Sequence, residues 1–306
     1  MNRDFSNTVK NICLNEGFFK VGYAMYEKLS NEINRYTKWL DEGRNAGMDW
    51  MSRNLEKRED VSLILNNVKS VISLAFLYDT PFRHDEKLPK ISRYAWGEYD
   101  YHKIIKKKLK NICSELKALD ETIETKYYVD DGPLLEKAWA VKSGIGWMGK
   151  HSNIINQYAG SFFFLSEILI NKELNYDKPT DDLCETCRIC MDACPTGAIY
   201  DEYKVDANLC ISYHTIENKN EIPSYIDLSG WIFGCDVCQD VCPFNKKKFI
   251  TEDDRFFPLK ETFNTSHNKL AEITEEKFND LFKNSPVKRT KYTGWKRNLK
   301  HVSLNK

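Results

Sequence analysis

The chain has 306 residues, with 45 Lys+Arg balanced by 45 Asp+Glu, 42% hydrophobic and 13% aromatic content. That is enough for about two domains whose cores need no disulfide staples, and it excludes a disordered chain. Zero net charge says nothing about partners.

From the N-terminus, MNRDFSNTVKNICLNEG lacks the continuous apolar stretch of a secretory signal. Helical periodicity runs from Leu29 to Leu40 and from His102 to Leu119, whereas Val71 to Tyr78, Thr125 to Val129 and Ser161 to Ile170 read as buried strands. The last of these is the most apolar run, but it is too short to span a bilayer and contains Glu167. We expect a cytoplasmic protein with no membrane contact.

Asp131-Gly132-Pro133 opens a helix expected over Leu134 to Ser143. The helix leads into Gly144-Ile-Gly146-Trp-Met-Gly149, a literal G-x-G-x-x-G. A dinucleotide fingerprint must follow a strand and open a helix, and this one follows a helix instead. The glycines more plausibly let backbone approach something flat and large, with Trp147 and Lys150 supplying a stacking surface and a charge. Asn171 to Asp182 reads as a linker.

Eight of the ten cysteines then fall between Cys184 and Cys242; Cys13 and Cys113 stand apart. Cys184-x2-Cys187-x2-Cys190-x3-Cys194-Pro195 is the spacing of bacterial two-cluster ferredoxins, in which three thiolates hold one cubane and the fourth reaches the other. The second run, Cys235-x2-Cys238-x3-Cys242-Pro243, lacks its first thiol, and Cys210 is the nearby cysteine that can fill the gap. Crossing the fourth ligands assigns Cys184, Cys187, Cys190 and Cys242 to one [4Fe-4S] cluster and Cys194, Cys210, Cys235 and Cys238 to a second. Paired zinc sites also use C-x2-C, but they do not explain two C-x3-C-P endings.

The fold class expected is α+β. A mixed domain over 1–180 precedes a ferredoxin-like two-cluster domain over 181–248, and a C-terminal segment over 249–306 packs back on the core. That segment ends in a basic tail with aromatics: Lys288, Arg289, Lys291, Lys296, Arg297, Lys300 and Lys306 with Tyr292 and Trp295. A second basic group, Lys103, Lys106, Lys107, Lys108 and Lys110, lies on a predicted helix. Both suit a phosphate backbone and an unstacked base; from charge alone a solvated face and a frayed tail account for them equally well.

Tyr128-Val-Asp-Asp-Gly-Pro-Leu-Leu-Glu136, Gly144 to Lys150, Gly160-Ser-Phe-Phe-Phe-Leu165, Cys210-Ile-Ser-Tyr213, Tyr94-Ala-Trp-Gly97 with Asp100-Tyr101-His102, and Asn284-Ser-Pro-Val-Lys-Arg289 occur together in this order-sensitive setting. With the double cysteine motif, they make the chain resemble the epoxyqueuosine reductases over nearly its whole length. The resemblance implies a cobalamin in the larger domain beside the clusters. Electrons reduce its cobalt to a nucleophilic state that opens the epoxide of epoxyqueuosine at the tRNA wobble position. Two electrons and two protons would leave the cyclopentene of queuosine.

By the same resemblance Asp130 is the proton donor, a buried carboxyl suited to general acid work. Tyr101, His102, Arg289 and Arg297 would meet the substrate, and Gly144, Gly146, Trp147, Gly149, Lys150 and Ser161 the cobalamin. The partners implied are tRNA and an electron donor of flavodoxin or ferredoxin type, acting on a monomer. Trp96-Gly-Glu98-Tyr99-Asp100 carries one residue more than the family's usual spacing. The chain also stops before the helical-repeat domain that many members add, so the basic tail would do more of the gripping. The alternatives are another corrinoid and iron-sulfur reductase, resembling reductive dehalogenases, or a ferredoxin-like electron carrier without catalysis.

Overall fold

A computed structural model describes residues 3–246 and 249–304. Lys306 of the basic tail and the expected domain boundary at 248 lie outside the described residues.

The organising strand is β7 (Phe163–Ile170), flanked by β2 (Ser70–Leu77) and β4 (Thr125–Tyr128), with β1 (Lys20–Met25) beyond β2. All three pairings are antiparallel, in the order β1-β2-β7-β4. Ser70 faces Ile170 at one end of the central pair and Leu77 faces Phe163 at the other. A strand covered on both faces carries a near-continuous apolar run, which is why β2 and β7 were readable. The edge strand β1 escaped notice because Gly22 and Tyr23 interrupt a short run.

One face of the sheet presents Ile72, Leu74, Ile168 and Ile170 to helices α1 (Arg3–Asn15) and α4 (Tyr101–Leu119). The amphipathic spacing of α4 buries Ile105, Leu109, Ile112 and Leu116 on that side. The other face presents Val71, Ala75, Phe163 and Leu169 to α5 (Glu136–Lys142) and its flanks, where Trp139 and Ala140 are fully buried. Two helices, α2 (Ser30–Asp41) and α3 (Leu55–Glu59), lie between β1 and β2 in the chain.

Strands β5 (Trp147–Met148) and β6 (Ile154–Ile155) form a small hairpin after α5. The cysteine region contributes three short helices, α6 (Ile189–Asp192), α7 (Ile211–Ile216) and α8 (Val237–Asp240). Three more follow: α9 (His267–Ala271), α10 (Glu275–Leu281) and α11 (Lys291–Leu304).

The division at 181 is not a clean cut. Strand β3 (Lys90–Ile91), from the first half of the chain, pairs in parallel with β8 (Trp231–Phe233) from the second. Ile91, Ala95 and Trp96 share a core with Ile211, Leu228, Trp231 and Phe233, and that core is closed by Leu270, Phe278, Trp295 and Leu299. Polar bonds staple the same junction. Arg93, 8% exposed, reaches Asp240 Oδ1 at 2.5 Å, while its backbone N–H donates to Asp236 Oδ2 at 2.8 Å. The basic tail is therefore a helix with a buried side: Trp295 is fully buried and offers no stacking face for a base, and Tyr292 is partly buried against the core.

Candidate active site

None of the eight clustered cysteines is in a disulfide, and they border two separate spaces. Cys184, Cys187, Cys190 and Cys242 line a small one; Cys194, Cys210, Cys235 and Cys238 line part of a cavity of about 430 Å³. Each loop of the doubled motif thus sends its last cysteine to the other group, and the short helices α6 and α8, one in each loop, pack against each other. Burial and the neighbouring thiols push Cys190 up to about 11, so thiolates here need the positive charge of bound iron. Among the described residues no three His, Cys, Asp or Glu side chains converge on a single-ion position.

The cavity lies between this second thiol group and the sheet. Its wall includes Phe163, Phe164 and Leu165 of β7 and the segment His151 to Ile154; Tyr94, Tyr101, Asp130, Glu136 and Lys137 also line it. Asp130 sits just past β4 with φ of 56°, a left-handed conformation that Asp tolerates better than most residues. Its backbone N–H donates to Glu136 Oε1 at 2.6 Å, which fixes the turn. Its carboxyl was expected to be buried; instead the side chain is 63% exposed, because the turn lifts it to the cavity mouth.

Helix α4 brings the partners. Asp100 caps it, accepting from the His102 backbone N–H at 2.9 Å and meeting His102 Nδ1 at 2.7 Å. Burial opposes ionisation of Asp100, but these hydrogen bonds outweigh it and hold its carboxyl below the ordinary value. The first turn then points Tyr101 and His102 at Asp130: the Tyr101 hydroxyl donates to Asp130 Oδ2 at 2.5 Å and His102 Nε2 stands 3.7 Å from the same oxygen. Burial and the adjacent Asp130 charge keep the Tyr101 hydroxyl protonated far above its ordinary range. The extra residue at Glu98 and Tyr99 is absorbed in an exposed bend before the cap and leaves this geometry intact.

The two arginines separate. Arg289 is half exposed, paired with Glu217 and lying 5.4 Å from the centre of the Trp50 ring, close enough to feel the charge of Asp130. Arg297 is not at the cavity: its guanidinium donates to the carbonyls of His214, Asn218 and Asn220 and holds the chain after α7. Of the second basic group, Lys106 pairs with Asp131 and Lys108 donates to Glu16 O, whereas Lys103, Lys107 and Lys110 are exposed.

The glycine loop does not face the cavity. A side chain on Gly146 would collide with the Ile155 carbonyl at 2.1 Å, so the glycine serves the close hairpin, and Gly144 turns the chain at φ of 69°. Gly149 abuts Ile155 in the same hairpin. Trp147 Nε1 donates to Cys184 Sγ at 3.4 Å, and the buried Lys150 Nζ donates to Glu185 O and Glu202 Oε1. Those residues support the first thiol group; the cavity wall is the next turn, His151 to Ile154. Ser161 does line the cavity, its hydroxyl accepting from Gln239 and Asn245 of the second cysteine loop. Sequence reasoning passed over Glu136, Lys137, His151 and Trp50, whose proximity arises only on folding.

Two family models match the chain: a 4Fe-4S double cluster binding domain over residues 183–245, and the epoxyqueuosine reductase QueG domain of unknown function 1730 over residues 58–131. An epoxyqueuosine reductase of Cellulophaga algicola is 42% identical over 296 residues, covering 96% of each chain. The structure of an epoxyqueuosine reductase with an epoxyqueuosine-modified tRNA-Tyr stem loop superposes with a TM-score of 0.87 at 28% identity, over 97% of this chain and 80% of that one. A Bacillus subtilis epoxyqueuosine reductase, solved with its catalytic aspartate loop swung out of the active site, gives 0.88 at 27% identity over 97% and 80%.

Proposed function

This chain belongs to the epoxyqueuosine reductase family, and from that premise we propose that it reduces the epoxide of epoxyqueuosine at the tRNA wobble position to the cyclopentene of queuosine. The observation that carries the reading is the cavity: four thiols at one end, a carboxyl flanked by a tyrosine and a histidine at its mouth, and an aromatic strand wall between them.

Two [4Fe-4S] clusters and a cobalamin supply single electrons and a cobalt centre for carbon–oxygen cleavage. The thiols that would hold the clusters are Cys184, Cys187, Cys190 and Cys242, and Cys194, Cys210, Cys235 and Cys238. The residues around the cavity fit a large flat cofactor. Phe163, Phe164 and Leu165 give an apolar wall, and Ser152, Asn153 and Ser161 give polar edges. His151 Nε2 is buried at the wall without a partner among the described residues, a polar atom that an amide of the bound group would satisfy.

Asp130 is the acid in this reading. Its position at the mouth lets it reach a departing oxygen, with Tyr101 and His102 fixing the carboxyl and buffering its charge after the proton leaves. Arg289, held over Trp50 and near Asp130, is placed to meet the modified base or its phosphate. The partners are tRNA bearing epoxyqueuosine and a one-electron donor of flavodoxin or ferredoxin type. The chain acts as a monomer in the cytoplasm, and no described helix is long and apolar enough to cross a membrane.

The test is anaerobic incubation of the cluster-loaded protein with cobalamin, a strong reductant and epoxyqueuosine-bearing tRNA, followed by nucleoside mass analysis. Queuosine should appear. Its absence, with clusters and cobalamin both present, would refute the proposal.

A further inference from the structure

Glu167 is an anomaly in the middle of the sheet. It lies on β7 with zero exposure, between Leu165 and Leu169 on the face toward α5. A buried carboxylate is costly unless it is paired with a cation or well hydrogen-bonded. From β2 its register partner is Ser73, and from β4 it is Tyr128. From α5 the neighbouring carboxyl is that of Glu136.

Neither Glu167 oxygen receives an N–H or O–H from any other described group. The other charged groups bearing on the two carboxyls are Asp130, Asp131 and Lys137. The amine of Lys137 is directed to Ser152 O at 2.7 Å and Asn153 Oδ1 at 3.3 Å. Two neighbouring carboxylates repel, whereas one proton between them turns the repulsion into a hydrogen bond. Burial and the nearby Asp130 charge push Glu136 up to about 8, and burial with Glu136 beside it drives Glu167 well above the ordinary carboxyl range.

We propose that Glu136 and Glu167 share a proton at neutral pH and serve as the proton store of the cavity. Glu136 borders the cavity and its Oε1 already accepts the Asp130 N–H at 2.6 Å. Reduction of an epoxide to an alkene and water takes two electrons and two protons. The electrons enter through the clusters. The Glu136 carboxyl gives its proton to the Asp130 carboxylate and Asp130 passes it to the departing oxygen; the same relay, reloaded from solvent, delivers the second. The pair, now fully ionised, takes a proton back from solvent through the open mouth. The delivery step rests on the function proposed above; the shared proton does not.

The test has two parts. Infrared difference spectra of the cluster-loaded protein, without cobalamin or tRNA, should show a protonated-carboxyl C=O band at pH 7 that titrates away above about pH 8. In Glu167→Gln burial and the Asp130 charge still act on Glu136, but one carboxyl is gone and an amide N–H can donate to the other, so the band should shift and its titration move to lower pH. Absence of the band in the wild type, or an unchanged band and titration in Glu167→Gln, overturns the shared proton. Should Glu167→Gln fail to fold, the wild-type titration decides alone. In the loaded enzyme, Glu167→Gln should lower kcat roughly tenfold with KM unchanged and move the fall of kcat above about pH 8 to lower pH. An unchanged kcat and pH profile would rule out the delivery role. If wild type converts no epoxyqueuosine while the band behaves as stated, the function falls and the shared proton stands.

Discussion

At the scale of single residues the site depends on contacts between groups that are distant in sequence. Asp130 meets Tyr101 and His102 across 29 and 28 positions, and those contacts exist because α4 packs against the sheet in which β4 is an edge strand. Asp130→Asn keeps the shape and removes the acid, so it should lower kcat by roughly 100-fold or more while cobalamin and tRNA bind as in wild type. Steady-state kinetics together with cobalamin absorbance would separate the two effects, and unchanged turnover would remove Asp130 from the mechanism. The carboxyl pair adds a stability signature. Glu136 and Glu167 hold protons in the folded chain at pH values where an unfolded glutamate has released them. The folded state therefore binds more protons between about pH 4.5 and pH 8, and the stability these two groups contribute is present at low pH and lost as pH rises through that window. Melting temperatures measured across it should fall with pH more steeply in wild type than in Glu167→Gln. Of these residues, only Asp130, Tyr101 and His102 were legible, through resemblance; Glu167 was visible merely as a charge spoiling an apolar run, because nothing local says that a second carboxyl will cover it.

Among the elements, the cysteine loops were the most legible part of the chain, since thiol spacing on a tight loop is a local property that folding does not rearrange. The glycine loop was misjudged for the opposite reason. Its glycines answer to the Ile155 backbone and its Trp147 to Cys184, both contacts set by the β5–β6 hairpin. The crossed thiol groups lead to a direct expectation. Cys210→Ala should reduce iron from roughly eight to roughly four per chain and perturb the cluster at the cavity, whereas Cys242→Ala should perturb the other. Iron analysis with electron paramagnetic resonance would show it, and an identical spectrum for the two variants would contradict the crossing. The C-terminal helix gives a second contrast. Arg297→Ala strips donors from three carbonyls and should destabilise the fold by roughly 2–4 kcal/mol. Arg289→Ala should leave the melting curve alone and weaken tRNA binding, lowering the salt slope by about one.

For the whole molecule, the two halves of the sequence do not fold into two independent bodies. Residues 90–96 cross over to complete the second core, and α11 closes it, so the cavity is walled by both halves at once. Composition and periodicity indicated a mixed α and β architecture, but a two-residue parallel pairing such as β3 with β8 has no sequence signature. Arg93 is the polar link across that junction. Arg93→Ala leaves Asp236, 1% exposed, beside an uncompensated Asp240 and should cost roughly 3 kcal/mol in denaturant melts, toward the low end for a buried pair because Asp240 is partly exposed. The central claim is that this one cavity joins the cluster thiols to the Asp130 acid for epoxide reduction. The most direct measurement is single-turnover conversion of epoxyqueuosine-bearing tRNA by anaerobically reduced, cobalamin-loaded wild type beside equally loaded Asp130→Asn. The account predicts rapid queuosine formation by wild type and almost none by the variant. Equal rates, or no product from loaded wild type, would contradict it.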